Sequence, residues 1–150
     1  MEICTIGFTK KSAAEFFGTL KNADVRQLVD VRLNNVSQLA EFTKRDDLEF
    51  FLRELCDAAY RHELLLAPTQ ILLDSYKKRQ LSWGEYEEAF LQLMAERRIE
   101  DRVDPAIFRT RTVLLCSEPT AERCHRRLVV EYLDKTWGGV TAVHLQVGVM

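Results

Sequence analysis

Between Thr112 and Leu133 the chain gathers the residue types that carry chemistry. Cys116 and Glu118 are followed by Cys124, His125 and Arg126, so a thiol, a carboxylate, an imidazole and guanidinium groups fall close together. Such a set supports nucleophilic attack by sulfur, proton transfer by glutamate or histidine, and charge stabilisation by arginine. A second candidate lies upstream, where Arg32 follows the apolar Leu28-Val29-Asp30-Val31 run. An arginine there either pairs internally, with Glu118 as the expected partner, or faces an anion.

The elements that must position these residues are readable. Val113, Leu114 and Leu115 form a short apolar run that suits a strand buried on both faces. Pro119 fits the first turn of a helix, and Leu128, Val129, Tyr132 and Leu133 continue at helical spacing. Cys116 and Glu118 therefore stand where a strand ends and a helix begins, the place where open α/β sheets bind ligands.

Further upstream, Glu2 to Ile6 reads as a strand closed by Gly7, and Ser12-Ala-Ala-Glu15 as a capping box opening a helix. Val25 to Val31 is the second strand, completing a β-α-β unit. Residues 33 to 46 read as a loop and Leu48 to Ala59 as a helix. Tyr60 to Leu66 is a short third strand, Pro68 and Thr69 open a helix through Arg79, and Ser82 caps a longer one. Val140 to Val147 closes the order as a final strand. The pattern predicts an α/β fold: one three-layer domain over residues 1–150, with a mainly parallel sheet of about four to five strands. The carboxyl ends of parallel strands point one way, so Thr9, Lys10, Arg32, Cys116 and Glu118 should converge on one edge.

Composition narrows the class. The chain has 150 residues, 47% of them hydrophobic, enough to bury a core without staples. A formal charge of −2 gives no global attraction to nucleic acid or anionic membrane. Four cysteines without a C-x-x-C pair, and no long apolar run, predict a cytoplasmic protein. The G-x-G-x-x-G, Walker and G-x-S-x-G patterns are missing from the sequence. The loop after Cys116 carries Glu118 and Pro119 rather than the glycines of an anion-cradling phosphatase loop. Cys124 and His125, expected one to two turns into a helix, read as packing residues, and the spacing of the cysteines is not finger-like. No metal and no cofactor are expected.

Several motifs together resemble DUF family 488: Thr5-Ile6-Gly7-Phe8-Thr9, Asp30-Val31-Arg32 with Ser37, Tyr60-Arg61-His62, Leu115-Cys116-Ser117-Glu118 with Cys124-His125-Arg126, and Val143-His144-Leu145. The resemblance implies a compact α/β fold of about this length and no established activity. Two motifs depart from the family pattern: Phe8 and Thr9 stand for its histidine and serine, and Asn35 for its proline.

These readings predict a small cysteine-centred enzyme acting on an anionic or nucleotide-like ligand at the carboxyl edge of the sheet. Cys116 is its nucleophile, Glu118 or His125 its acid or base, and Thr9, Lys10, Arg32, Ser37 and Arg126 its ligand-binding residues. A non-catalytic module that holds an anion or a nucleic acid is the alternative, and a structural or partner-binding domain the third reading. No membrane partner is expected.

Overall fold

The computed structural model describes residues 1–8, 10–34, 42, 44–116 and 124–147. Its centre is a single sheet of five parallel strands: β1 (Glu2–Gly7), β2 (Gln27–Asp30), β3 (Ala59–His62), β4 (Thr112–Cys116) and β5 (Thr141–His144). Their order across the sheet is β3-β2-β4-β1-β5. The expected α/β class and parallel sheet are borne out. Register runs without interruption from Cys4 opposite Val113 to Gly7 opposite Cys116, and from Gln27 opposite Thr112 to Asp30 opposite Leu115.

Alternation along each strand builds a core on either side of the sheet. Cys4, Ile6, Leu28, Val113 and Leu115 pack with Phe16, Phe17 and Leu20 of α1 (Ala13–Asn22) and with Leu48 of α2 (Arg45–Phe51). Ile3, Val29, Leu114 and Cys116 pack on the other side. Their partners there are Tyr86, Phe90 and Met94 of α4 (Trp83–Arg97), and Leu128, Val129 and Leu133 of α6 (His125–Trp137). The shorter helices α3 (Gln70–Lys77) and α5 (Ile99–Arg102) complete the chain order. None of the described helices is long and apolar enough to cross a membrane.

Local signals placed the starts of α1 and α4 well. Ser12 with Glu15, and Ser82 with Glu85, form complete capping boxes. Other boundaries moved. The helix expected to run to Ala59 turns into a π-helical stretch, Leu52–Cys56, and stops at Asp57 in the left-handed region (φ 52°). The helix must end there because Ala59 begins β3 opposite Gln27. The wider turn also leaves Leu55 49% exposed. β3 stops at His62, since Glu63 turns its carboxylate onto the Leu65 N–H to open a 3₁₀ turn. The last strand is shorter than expected, ending at His144.

The most consequential shift concerns α6. Its first helical residue is His125 and its N-cap is Cys124, with extended backbone angles (φ −139°, ψ 140°). Cys124 and His125 therefore stand at the mouth of the helix, not within it.

Candidate functional site at the carboxyl edge of the sheet

Because every strand runs the same way, Gly7, Asp30, His62, Cys116 and His144 all end on one edge. Arg32 and Cys116 share that edge, as expected: Val31 N–H donates to Leu115 O at 3.1 Å, which ties the residue before Arg32 to the one before Cys116. The polar residues there fall into two groups.

The first group joins the ends of β2 and β3. Asp30, fully buried, accepts from Arg32 Nε at 2.8 Å and Nη2 at 2.7 Å, and from the Arg32 backbone N–H at 3.1 Å. Tyr60 Oη donates to Asp30 Oδ2 at 2.7 Å. The Arg32 guanidinium lies 5.4 Å from the centroid of the Phe8 ring, a cation–π contact supplied by one of the two departures from the family pattern. His62 Nε2–H donates to Arg32 O at 2.7 Å. Among the described residues Asp30 is the carboxylate on Arg32, and its forked, buried geometry is that of a structural tie; the expected pairing with Glu118 falls outside those residues. Glu118 lies outside the described residues, as do Thr9 and Ser37.

The second group joins β4 to the start of α6. Cys116 and Cys124 are both buried, and their sulfurs are joined in the structure across Cα atoms 7.3 Å apart. Arg126 is buried beside them, with Nη1 3.2 Å from Cys116 Sγ and 3.9 Å from Cys124 Sγ. His125 Nε2 lies 2.7 Å from Val31 O. A carbonyl only accepts, so Nε2 carries the proton and the lone pair is left on Nδ1. Burial pushes the His125 pKa down to about 4, so the ring is neutral at pH 7. It is therefore a lone-pair donor or a base rather than an acid. Cys116 Sγ, Cys124 Sγ and a His125 ring nitrogen all lie within 4.8 Å of one another, and these are the groups here that could hold a metal ion.

The positive charge of Arg126 reaches across the edge. The Lys11 amine is pushed below its ordinary pKa, by burial first and then by Arg126. The same order of causes, with Arg127 added, lowers His144, which also hydrogen-bonds Thr5 Oγ1 through Nδ1. Lys10 is exposed and adopts a left-handed backbone (φ 63°). Of the residues the sequence singled out, Cys116, His125 and Arg126 come together, while Arg32 turns to Asp30.

Two participants were passed over. Lys11 is not among the residues that the sequence singles out. Cys124 was read as packing because the helix was expected to begin at Pro119. The signal that could have recovered Cys124 is its neighbour His125, since a helix-start cysteine can turn back toward a strand end that a mid-helix one cannot reach.

This arrangement defines a parallel α/β domain in which Cys116, Cys124, His125 and Arg126 cluster where β4 meets α6. The chain belongs to the DUF488 family: the family model, described as a domain of unknown function, matches residues 12–133. No curated protein and no solved structure matches the chain. The matched span includes Arg32, Cys116 and Cys124-His125-Arg126 but not the first motif, Thr5 to Thr9, nor Val143 to Leu145.

Proposed function

We propose that this protein is a small enzyme that acts on an anionic or nucleotide-like ligand at the carboxyl edge of the sheet, with Cys116 at the centre of the chemistry. The observation that carries the reading is the buried guanidinium of Arg126, 3.2 Å from Cys116 Sγ. In the reduced chain a cation that close favours a thiolate over a thiol, and a thiolate is both a nucleophile and a metal ligand. Lys11 lies within reach of the same charge, so two cations stand near one strand end in a chain whose formal charge is −2. An anion relieves that local concentration of like charge, and removing it from water strengthens the attraction. His125, neutral and held by Val31 O, is the base available beside the sulfur.

The test is calorimetric binding of inorganic phosphate, pyrophosphate and adenosine monophosphate to the reduced chain, with turnover followed on the same compounds and their esters. Wild-type protein should bind at least one of them in a salt-sensitive way. Lys11→Met, a half-buried site whose loss leaves the core intact, should weaken binding, and Arg126→Met should weaken it more. Cys116→Ser should keep binding and lose turnover. Equal binding by Lys11→Met, Arg126→Met and wild type would sink the anion site. Binding without turnover by the wild type would replace the enzyme with an anion-binding module.

A further inference from the structure

We propose that Cys116, Cys124 and His125 are the protein ligands of a zinc-type metal ion, and that its remaining position takes an oxygen of the anionic ligand. The proposal rests on the reading of Cys116 as a thiolate at an anion site and assigns that thiolate its task.

The ligand atoms come together through the way α6 starts. Residues in succession within a helix point about 100° apart, which kept Cys124 and His125 from sharing one ion when both were expected mid-helix. As N-cap, Cys124 has extended backbone angles instead, and its sulfur turns back onto the end of β4 while His125 begins the helix. The three ligand atoms then lie within 4.8 Å of one another. Zinc holds sulfur at about 2.3 Å and nitrogen at about 2.0 Å in a tetrahedron, which sets neighbouring ligand atoms about 3.5 Å apart. Once the bond between the two sulfurs is reduced to a pair of thiols, as a phosphine does, side-chain movements alone separate the cluster from that geometry.

Three further features fit a metal better than a permanent disulfide. The Cα atoms of Cys116 and Cys124 are 7.3 Å apart, beyond the span that disulfides usually close and natural for two thiolates on a common ion. His125 Nε2–H donates to Val31 O, the outer hydrogen bond that orients a metal-binding imidazole and leaves Nδ1 to coordinate. A disulfide makes no use of that ring. Arg126 donates to the Cys116 sulfur, as outer donors to thiolate ligands do, and two thiolates offset the charge of a divalent ion beside it.

Two sulfurs and one imidazole select a borderline-soft ion such as Zn²⁺ over Mg²⁺ or Ca²⁺, which prefer oxygen. Among the described residues the ion has three protein ligands, and three with one further position is the pattern of catalytic rather than structural zinc. Arg126 and Lys11 stand on the same edge, so an anionic oxygen arriving at the ion meets positive charge.

The full chain, reduced with a phosphine and stripped by a chelator, is titrated with Co²⁺ and then with Zn²⁺. One equivalent of Co²⁺ should give thiolate-to-cobalt charge-transfer absorption, and Zn²⁺ should abolish it by displacement. Cys116→Ser, Cys124→Ser and His125→Asn should each weaken binding by at least about tenfold, whereas Cys4→Ser and Cys56→Ser should not. If a ligand variant fails to fold, wild-type protein still decides. Zn²⁺ should shield Cys116 and Cys124 together from alkylation, and a chelator should reverse the shielding. Absence of the thiolate band, or oxidation of the pair to a disulfide at the same rate with and without zinc, overturns the metal site. Inorganic phosphate should shift the cobalt spectrum, and an unmoved spectrum overturns the open position. Phosphate binding to the metal-free chain without any metal uptake overturns this proposal and leaves the anion site standing. Metal uptake with no phosphate response in either form supports the ligand set and removes the anion reading.

Discussion

The two halves of the carboxyl edge are built on opposite plans. On the β2–β3 side, Asp30, Arg32, Tyr60 and His62 answer one another: a carboxylate with a forked guanidinium, a phenol on the same carboxylate, an imidazole on a backbone carbonyl. On the β4–α6 side the helix starts at a cysteine that makes no side-chain cap hydrogen bond. The longer helices α1 and α4 close their starts fully, with Ser12 and Glu15 and with Ser82 and Glu85, whereas the short α2 and α5, like α6, have no side-chain cap. On the function proposed above, the difference separates polar groups that hold the fold from polar groups kept for a ligand. A proper cap is worth on the order of 1 kcal/mol, and α6 forgoes it where Cys116, Cys124, His125 and Arg126 meet.

The largest effect that tests this contrast belongs to the tie. Asp30→Ala removes the forked carboxylate from a buried arginine and should cost about 3–5 kcal/mol of unfolding free energy in a urea titration. A loss under about 1 kcal/mol would mean that solvent reaches Arg32, and the two halves would no longer differ in kind.

Cys124→Ser comes next and should run the other way. Serine is a preferred N-cap whose oxygen accepts from the first turn, so the variant should hold or gain stability, by up to about 1 kcal/mol, while its cobalt band disappears. Loss of stability together with loss of metal would mark Cys124 as a structural residue like Asp30.

The smallest effect is a pH response of the closed helix starts. Hydrogen bonds from the Ser12 and Ser82 backbone hold the Glu15 and Glu85 carboxyls below their ordinary value of 4.5. A depressed pKa favours the folded state above the unfolded value, and that share is lost as pH falls through the folded one. Stability measured at stepwise lower pH below about 4.5 should therefore fall, with a shallower slope in Glu85→Gln. An unchanged slope would remove the carboxylate from the account of the α4 cap.

Much of this was legible in the chain. Ser12-Ala-Ala-Glu15 and Ser82 with Glu85 carry their partners within one turn, so the helix starts follow from local sequence. The apolar run around Leu114 announces a strand covered on both faces, and the β-α-β order announces parallel strands. A parallel sheet places strand ends on one edge, which is why Cys116 and Arg32 could be assigned to the same place in advance.

Local pattern did not determine partners or phase. Asp30 and Arg32 are two positions apart in sequence, and whether that arginine meets Asp30, Glu118 or a ligand depends on what β3 and Phe8 bring alongside. The π-helical turn before Asp57 answers to the pairing of Ala59 with Gln27, a contact made across the sheet. The start of α6 at Cys124 is decided in the same way. His125 reaches Val31 O at the end of β2, and Arg126 reaches the Cys116 sulfur at the end of β4. Hydrogen bonds between elements far apart in the chain outweigh a few tenths of a kcal/mol of intrinsic helix preference. Residue types and strand order come from the sequence by itself; which side chains face one another, and hence whether a cysteine packs or binds, is settled only when the strands are side by side.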